Sequence, residues 1–393
     1  MASTESPAAS GWLGELRAEL AALEGRSLRR TILTPRHGQG ETLSIDGREL
    51  LNLTSNNSLG LAGDPRVVEA AVEAARAYGA SVSASRLLCG STPLHEELEG
   101  RLAALKGQEA ALLYSSGYLA NLGVLTALAR PGDAIFSDAL NHASIIDGCR
   151  LSGADTKIYG HCDAEHLAEL LATTPASRRL IVSETVFSMD GDIAPLPALV
   201  ELARDHDAVL VIDEAHATGV LGPHGEGALA RLGLDPEGVI IVGTLSKALA
   251  SAGGFVAAGQ TVIDYLVNRS RPFIFNTALP PASVGAALAA LDIVAGEPER
   301  RAHLAALATR LRDGLMAAGH PPSDSATAIV PLLLGSADAA LGAERRLRDA
   351  GILSRAIRPP TVPEGTARIR FNLIATHTTD DIDRVLAAIP PPA

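Results

Sequence analysis

The sequence predicts an α/β protein, in which a large domain with a mainly parallel central sheet covered by helices is followed by a smaller α+β domain. The chain has 393 residues, which is enough for more than one domain. Through its middle, short apolar runs alternate with stretches of helical periodicity, which is typical of parallel strands buried on both faces. After Pro280 and Pro281 the pattern changes to strand–helix–strand–strand–helix.

The predicted elements begin with a helix over 12–23 and a hairpin around Asp46 and Gly47. Further helices are predicted over 65–78, 95–105, 119–129, 164–171 and 196–206, and strands over 111–114, 134–137, 180–183, 209–212 and 239–242. Ligands of such sheets lie beyond the carboxyl ends of the strands. We therefore expect functional side chains directly after the apolar runs.

The C-terminal part is predicted as a compact set of helices and strands. Its helices cover 283–295, 298–318, 338–350 and 380–388, and its strands cover 329–334, 352–357 and 367–373. On these patterns we divide the chain into an N-terminal helix and hairpin segment (1–53), a large domain (54–282) and a small C-terminal domain (283–393).

Composition excludes several classes of protein. The net charge is −12, which argues against a nucleic-acid or anionic-membrane surface. Cys89, Cys149 and Cys162 show no CxxC spacing, so neither a disulfide framework nor a zinc ribbon is expected. The first 20 residues lack a basic start and a continuous apolar core, and apolar runs stay shorter than a membrane span. We expect a cytoplasmic protein that binds neither nucleic acid nor membrane.

Asp213-Glu214-Ala215-His216 spells the DEAH box of nucleic-acid helicases. A helicase also needs the lysine of a GxxxxGK[ST] phosphate loop, and this motif is missing from the sequence. The acidic composition offers no channel for a nucleic acid either. The helicase interpretation is therefore rejected.

Lys247 and Asp213 each follow an apolar run and could serve one reaction centre. A lysine beside buried surface loses its charge easily and then forms Schiff bases with aldehydes, such as pyridoxal 5'-phosphate (PLP). PLP is an electron sink only while its pyridine nitrogen is protonated, and a carboxylate about 4 Å away favours that proton by about 4 kcal/mol. The ordinary alternatives are a lysine that extends to solvent and an aspartate that caps a helix.

Two histidines and one turn complete the pattern. His142 could stack on a cofactor ring, and His216 could donate a hydrogen bond to its phenolate oxygen. The turn over 115–118 precedes a predicted helix, whose free N–H groups and dipole favour a phosphate. Taken singly, each feature is more often structural. Together they place an anion site, a stacking imidazole, a carboxylate and a lysine on successive strand ends.

The segments SSGYLAN, NHASIIDG, ETVFSMDGDIAPL, VIDEAHATGVLG and GTLSKALASAGGF resemble the α-oxoamine synthases, a family of fold-type I PLP-dependent transferases. The resemblance extends over nearly the whole chain. It implies decarboxylative condensation of an amino acid with an acyl thioester. It also implies a homodimer whose active sites lie at the subunit interface.

The resemblance assigns roles to individual residues. Lys247 would hold PLP covalently and act as the base, and Arg358 would bind the amino-acid carboxylate. The residues implied to bind the cofactor are Gly117, Tyr118, His142, Ser188, Asp213, His216, Thr244 and Lys247. On the acyl side His142, Thr361 and Arg29 would contact the substrate, although Arg26 and Arg30 compete for the place of Arg29.

The segment AIRPPTVP, residues 356–363, resembles the branch of the family that acts in biotin synthesis. This branch condenses L-alanine with a pimeloyl thioester carried on CoA or acyl carrier protein. A second branch, which joins glycine to acetyl-CoA, shares the same core residues. A non-catalytic protein that binds PLP is the remaining alternative. No metal is expected.

Overall fold

The computed structural model describes residues 7–36 and 40–390. Residues 1–6 and 37–39 of the predicted N-terminal segment, and 391–393 of the predicted small domain, lie outside the described residues. The helices are α1 (Pro7–Gly25), α2 (Pro65–Tyr78), α3 (Pro93–Lys106), α4 (Gly117–Leu128), α5 (Ala143–Ser152), α6 (Ala164–Thr173), α7 (Leu196–Asp205), α8 (Ala228–Arg231), α9 (Gln260–Arg269), α10 (Arg271–Ile274), α11 (Pro281–Gly296), α12 (Pro298–Ala317), α13 (Ala337–Asp349) and α14 (Thr379–Ala388). The strands are β1 (Thr42–Ile45), β2 (Arg48–Asn52), β3 (Ala110–Tyr114), β4 (Ala134–Asp138), β5 (Asp155–Tyr159), β6 (Arg179–Glu184), β7 (Ala208–Asp213), β8 (Val239–Thr244), β9 (Gly254–Ala258), β10 (Ile329–Gly335), β11 (Ile352–Leu353), β12 (Ala356–Ile357) and β13 (Ala367–Asn372).

A seven-stranded sheet forms the centre of the large domain, in the order β3-β9-β8-β7-β6-β4-β5. The strands β5, β4, β6, β7 and β8 pair in parallel, whereas β9 is antiparallel to both β3 and β8. All five residues of β4 and all six of β8 are buried. Such continuous apolar strands form because helices cover both faces of the sheet.

Two smaller sheets lie outside the central one. The predicted hairpin forms as β1 and β2, and β2 also pairs in parallel with β11 from the C-terminal part. The other sheet has the order β10-β13-β12. The prediction of one strand over 352–357 is wrong, because the chain leaves one sheet after Leu353 and enters the other at Ala356.

The predicted fold class is confirmed: a mostly parallel sheet covered by helices is accompanied by a smaller C-terminal sheet. The sequence patterns missed β5 and β9. Within residues 7–36 and 40–390, none of the helices combines the length and the hydropathy that crossing a bilayer requires.

Candidate active site

Three polar residues end neighbouring parallel strands at the same edge of the central sheet. Glu184 is the last residue of β6, and its strand partner Asp213 is the last residue of β7. Thr244 ends β8, and Lys247 follows three residues later. Parallel pairing thus brings residues that are far apart in the chain to one site, as strand-end ligand sites require.

Lys247 lies in a strongly perturbed electrostatic environment. Burial lowers the pKa of its amine to about 8, although the carboxyl groups of Asp213 and Glu184 favour the charged form and Arg370 opposes it. Desolvation therefore outweighs two nearby acidic groups. At pH 7 about a tenth of this lysine is a neutral amine, far more than for a lysine with an ordinary pKa, and only the neutral amine is nucleophilic.

A chain of hydrogen bonds connects Asp213 to His142. The Asn121 amide donates to Asp213 Oδ2 at 2.7 Å and to Ser144 Oγ at 2.9 Å, and Ser144 Oγ lies 2.8 Å from His142 Nδ1. The backbone N–H of Ala215 donates to the other Asp213 oxygen at 2.8 Å. Both oxygens of the carboxylate are thus held in place. Asn121 and Ser144 were not predicted as site residues, since short polar residues carry no signal of their own.

The hydrogen bonds of His142 fix its tautomer. The backbone N–H of Ser144 donates to Nδ1 at 3.2 Å, so Nδ1 is an acceptor and Nε2 carries the proton. Burial lowers the pKa of this imidazole, which keeps it neutral. Tyr118 stands edge-on to the ring, with 6.3 Å between ring centroids. His142 therefore presents an oriented N–H donor.

Glu184 is a buried acid beside Asp213. Burial and the Asp213 carboxylate raise its pKa to about 8, against the effect of backbone N–H groups of His142 and Ser188. Its Oε1 atom has no hydrogen-bond partner in the part of the chain that the structure describes. At neutral pH this group is mostly an uncharged acid, so Asp213 is the principal negative charge that faces Lys247.

His216 follows Asp213 by three residues and belongs to the same site. Burial lowers its pKa well below the usual value, and the charges of Lys247 and Arg370 act in the same direction. The ring is therefore neutral. A neutral imidazole can donate one hydrogen bond and accept another.

The first turn of α4 packs against the end of β8. A Cβ atom on Gly117 would lie 3.2 Å from the Cβ of Thr244, so a glycine permits this close approach. Ser116 caps α4 by accepting from the N–H of Leu119 at 3.2 Å. The 12-residue helix directs its N-terminal dipole toward Thr244. This combination suits a phosphate group.

PLP fits the residues present. The donor set contains a lysine with a lowered pKa, a fixed carboxylate and a helix N-terminus for phosphate. Buried polar atoms without partners among the described residues include Asn121 Oδ1 and Glu184 Oε1. Since buried polar atoms are normally paired, these atoms indicate a site built for a polar ligand.

Arg370 is a site residue that the sequence analysis missed. Burial lowers the pKa of its guanidinium to about 10, against the pull of Glu184. Its Nη2 donates to Asn56 Oδ1 at 3.2 Å. Its Nε is buried without a hydrogen-bond partner in residues 7–36 and 40–390. A buried guanidinium with an unused donor, close enough to Lys247 to shift its pKa, is suited to bind a carboxylate.

Arg358 contacts the N-terminal segment. Its guanidinium donates to the backbone oxygens of Ser27 and Arg29, and the charged groups that shift its pKa are Glu344, Arg30 and Arg355. These contacts tie the N-terminal segment to the small sheet. The role of Arg358 at the amino-acid carboxylate stays a prediction.

The other residues predicted on the acyl side lie near this N-terminal segment. Arg30 Nη2 donates to Thr361 Oγ1 at 3.2 Å. Arg29 pairs with Glu24 at 3.4 Å, and Arg26 lies 3.6 Å from Glu364. Of the three competing arginines, Arg30 thus contacts Thr361.

The chain matches a known protein family over most of its length. The family model "Aminotransferase class I and II" matches residues 48–389. An 8-amino-7-oxononanoate synthase from Anaeromyxobacter dehalogenans is 52% identical over 378 residues, which is 96% of this chain and 94% of the relative. One from Paraburkholderia xenovorans is 48% identical over 383 residues and covers 96% and 97%.

Solved structures give the same result. A serine palmitoyltransferase from Sphingomonas wittichii aligns with a TM-score of 0.90 at 32% identity, over 96% of each chain. An 8-amino-7-oxononanoate synthase from Francisella tularensis aligns with a TM-score of 0.75 at 29% identity, over 86% of this chain and 96% of the other. The chain therefore belongs to the class I and II aminotransferase family of PLP-dependent enzymes, and within it to the group of the 8-amino-7-oxononanoate synthases.

Proposed function

We propose that this protein condenses L-alanine with a pimeloyl thioester in biotin synthesis. The products are 8-amino-7-oxononanoate, CO2 and the free thiol of CoA or acyl carrier protein. The observation that carries the proposal is the amine of Lys247. Burial lowers the pKa of this amine, which feels the charges of Asp213, Glu184 and Arg370 and can act as a nucleophile and a base. The names of the relatives support the choice of reaction.

PLP, when bound, supplies an electron sink that stabilises negative charge on the α-carbon of the amino acid. The residues we propose to hold it are those assigned by the family resemblance: Gly117, Tyr118, His142, Ser188, Asp213, His216, Thr244 and Lys247. Gly117 and Thr244 would meet the phosphate. Asp213 would pair with the pyridine nitrogen. Ser188 and His216 would donate hydrogen bonds to the cofactor.

Lys247 supplies the proton transfer. Its neutral amine takes the proton from the α-carbon of alanine, and the resulting ammonium is stabilised by the adjacent Asp213 carboxylate. After CO2 has left, the same ammonium returns a proton to that carbon. A base with a pKa near 8 is suited to both directions at neutral pH, because neither protonation state is strongly favoured.

His142 polarises the acyl donor. Its Nε2–H, fixed by the acceptor role of Nδ1, is free to donate to the thioester carbonyl oxygen. An oriented donor of this kind stabilises the negative charge that develops on that oxygen. The chain through Ser144 and Asn121 couples the orientation of His142 to the position of Asp213.

An apolar cleft offers space for the pimeloyl chain. It has a volume of about 430 Å³ and runs from the loop after β4 to the segment 359–364; its lining includes Leu140, Ile146, Phe187, Met189 and Val362. Thr361, at the same cleft, binds Arg30. We propose that Thr361 and the N-terminal arginines, Arg29 among them, meet the polar part of the acyl substrate.

The reaction is tested by supplying defined substrate pairs and measuring free thiol. L-alanine with pimeloyl-CoA should give at least a tenfold higher kcat/KM than glycine with acetyl-CoA, because the apolar cleft accommodates a long chain. Pimeloyl-acyl carrier protein tested beside pimeloyl-CoA identifies the carrier. A preference for glycine and acetyl-CoA would contradict the proposal, and so would the absence of thiol release from either pair.

We propose that Arg370, rather than Arg358 as the family resemblance implies, binds the amino-acid carboxylate, because its buried Nε atom has no hydrogen-bond partner among the described residues. Arg370→Lys should raise the KM for alanine about 10- to 100-fold, because a charge-assisted bidentate contact contributes roughly 1.5–3 kcal/mol. Arg358→Lys is the matched control and should change this KM less than threefold. The opposite outcome, a large effect for Arg358→Lys alone, would restore the carboxylate to Arg358.

We also propose that the enzyme is a cytoplasmic homodimer. Leu88 is 81% exposed and Phe275 is 72% exposed, and a bridge between Ser85 and Thr277 brings their segments together. An exposed apolar patch of this kind is typical of a subunit interface. The cysteines Cys89, Cys149 and Cys162 are unpaired, which suits a reducing compartment.

A further inference from the structure

A cluster of metal-ligating side chains lies beside the loop after β6 and is not used by the proposed reaction. It comprises His161, Cys162, Asp138 and Asp192. The ligand atoms of Asp138, His161 and Cys162 all lie within 4.8 Å of one another. The edge of His161 meets Phe187 with 4.4 Å between ring centroids, so the cluster lies directly behind one wall of the apolar cleft.

Three of these ligand atoms form a triangle of the size that zinc requires. His161 Nε2 lies 2.9 Å from Asp192 Oδ2, and Cys162 Sγ lies 3.7 Å from that nitrogen and 3.6 Å from that oxygen. Tetrahedral zinc with bonds of about 2.0–2.3 Å separates its ligands by about 3.3–3.6 Å. The two distances from Cys162 Sγ already match this separation. The distance between His161 Nε2 and Asp192 Oδ2 would need to increase by only about 0.4 Å.

The fourth residue occupies the position of an outer-shell partner. Asp138 Oδ1 lies 3.0 Å from His161 Nδ1, and Asp138 Oδ2 accepts from the backbone N–H of Cys162 at 2.8 Å. A carboxylate on the far nitrogen orients a zinc-bound histidine and makes it more basic. Asp138 is 3% exposed, so the carboxylate that holds His161 is buried.

A second observation points to a ligand at the same place. Asp192 is 7% exposed, and its Oδ1 atom has no hydrogen-bond partner among the residues described. A buried carboxylate oxygen without a partner is costly. Cys162 and His161 are only half-buried, so an ion can reach the cluster from solvent.

We propose that His161, Cys162 and Asp192 form a binding site for one Zn²⁺ ion, with Asp138 as the outer-shell partner of His161. A thiolate, an imidazole and a carboxylate are ligands that Zn²⁺ accepts together. The site joins the turn after β5, which carries His161 and Cys162, to the loop after β6, which carries Asp192 and also Ser188. The inference does not depend on the identity of the acyl substrate.

The test measures metal binding by the PLP-loaded enzyme after treatment with a chelator. Added Zn²⁺ should bind with a stoichiometry of one per chain. Co²⁺ in its place should produce a thiolate-to-metal charge-transfer band and visible d–d bands of tetrahedral intensity. These readouts do not depend on turnover.

Cys162→Asn is the decisive variant. Cys162 has a φ of +55°, and asparagine tolerates this left-handed conformation better than most residues. The fold should therefore survive while the thiolate is lost. We expect at least tenfold weaker Zn²⁺ binding and no charge-transfer band. Cys89→Ser, which removes an exposed cysteine, should bind Zn²⁺ like the unmodified protein.

Three outcomes would overturn the proposal. The first is that the unmodified protein binds less than half an equivalent of Zn²⁺. The second is that Cys162→Asn binds it with unchanged affinity. The third is that Co²⁺ binds without a thiolate band, which would indicate that the ion lies elsewhere.

Discussion

Lys247→Ala should lower kcat at least a thousandfold. The substitution removes both the covalent anchor for PLP and the group that moves the α-proton, and the proton transfer alone accounts for about 10²–10⁴-fold. The measurement is release of free thiol from pimeloyl-CoA with L-alanine. Retention of a tenth of the rate would show that Lys247 is not the base.

A matched control separates chemistry from folding. Lys157→Ala removes a lysine of the edge strand β5 whose partner is the exposed Asp155, and it should leave kcat within twofold. Burial lowers the pKa of Lys247, which means that the charged amine costs stability at neutral pH. Lys247→Ala should therefore show no fall in Tm when the cofactor-free forms of the two proteins are compared. A collapse in Tm would mean that the activity loss reports unfolding.

The pH dependence gives an independent measure of the same amine. The neutral fraction of Lys247 falls tenfold for each pH unit below its pKa of about 8. The rate at which the cofactor-free protein combines with PLP should thus rise about tenfold from pH 6 to pH 7 and become constant above about pH 8. Borohydride reduction followed by peptide mapping should place the pyridoxyl group on Lys247. A tag on another lysine would contradict the assignment.

The central sheet could be predicted because its inner strands are continuous apolar runs. The same runs predicted the positions of Asp213 and Thr244, because each of these residues follows the end of an apolar run. The edge strand β5 escaped prediction because its burial is uneven and its sequence, DTKIY, is largely polar. The antiparallel β9 was missed because its glycine and two alanines give no strand-like alternation.

Arg370 could not be predicted for a different reason. In β13, Arg368 and Arg370 alternate with Ile369 and Phe371, a pattern that normally indicates one solvated face. In the folded protein this face is covered instead. Arg368 pairs with Asp190 and Arg370 with Asn56, residues that lie far away in the chain. Tertiary packing therefore converts a surface pattern into a buried cationic site.

The arginines predicted to contact the acyl substrate show where the transfer of residue roles from a family resemblance reaches its limit. Arg26, Arg29 and Arg30 are near neighbours in sequence, and no local pattern separates them. Only the contacts in the folded protein separate them: Arg30 donates to Thr361, whereas Arg29 pairs with Glu24 and Arg26 lies near Glu364. The contact between Arg30 and Thr361 is a fact of the fold, whereas the role of Arg29 stays a prediction.

Asp213→Asn should lower kcat by about three orders of magnitude with a smaller effect on the KM for alanine. A carboxylate close to a cationic ring nitrogen contributes about 4 kcal/mol at an effective dielectric constant of about 20, which corresponds to roughly a thousandfold in rate. Asparagine keeps the shape of the side chain but removes the charge. The measurement is kcat and KM for alanine at pH 7 with saturating PLP.

Glu184→Gln is the matched comparison, because it changes the other carboxyl group at the same edge of the sheet. Burial and Asp213 raise the pKa of Glu184 to about 8, so glutamine resembles the uncharged form that predominates at pH 7. The decrease in kcat should stay below tenfold. Equal losses for the two variants would mean that Glu184 also acts as an anion, and the division of labour between the two acids would be wrong.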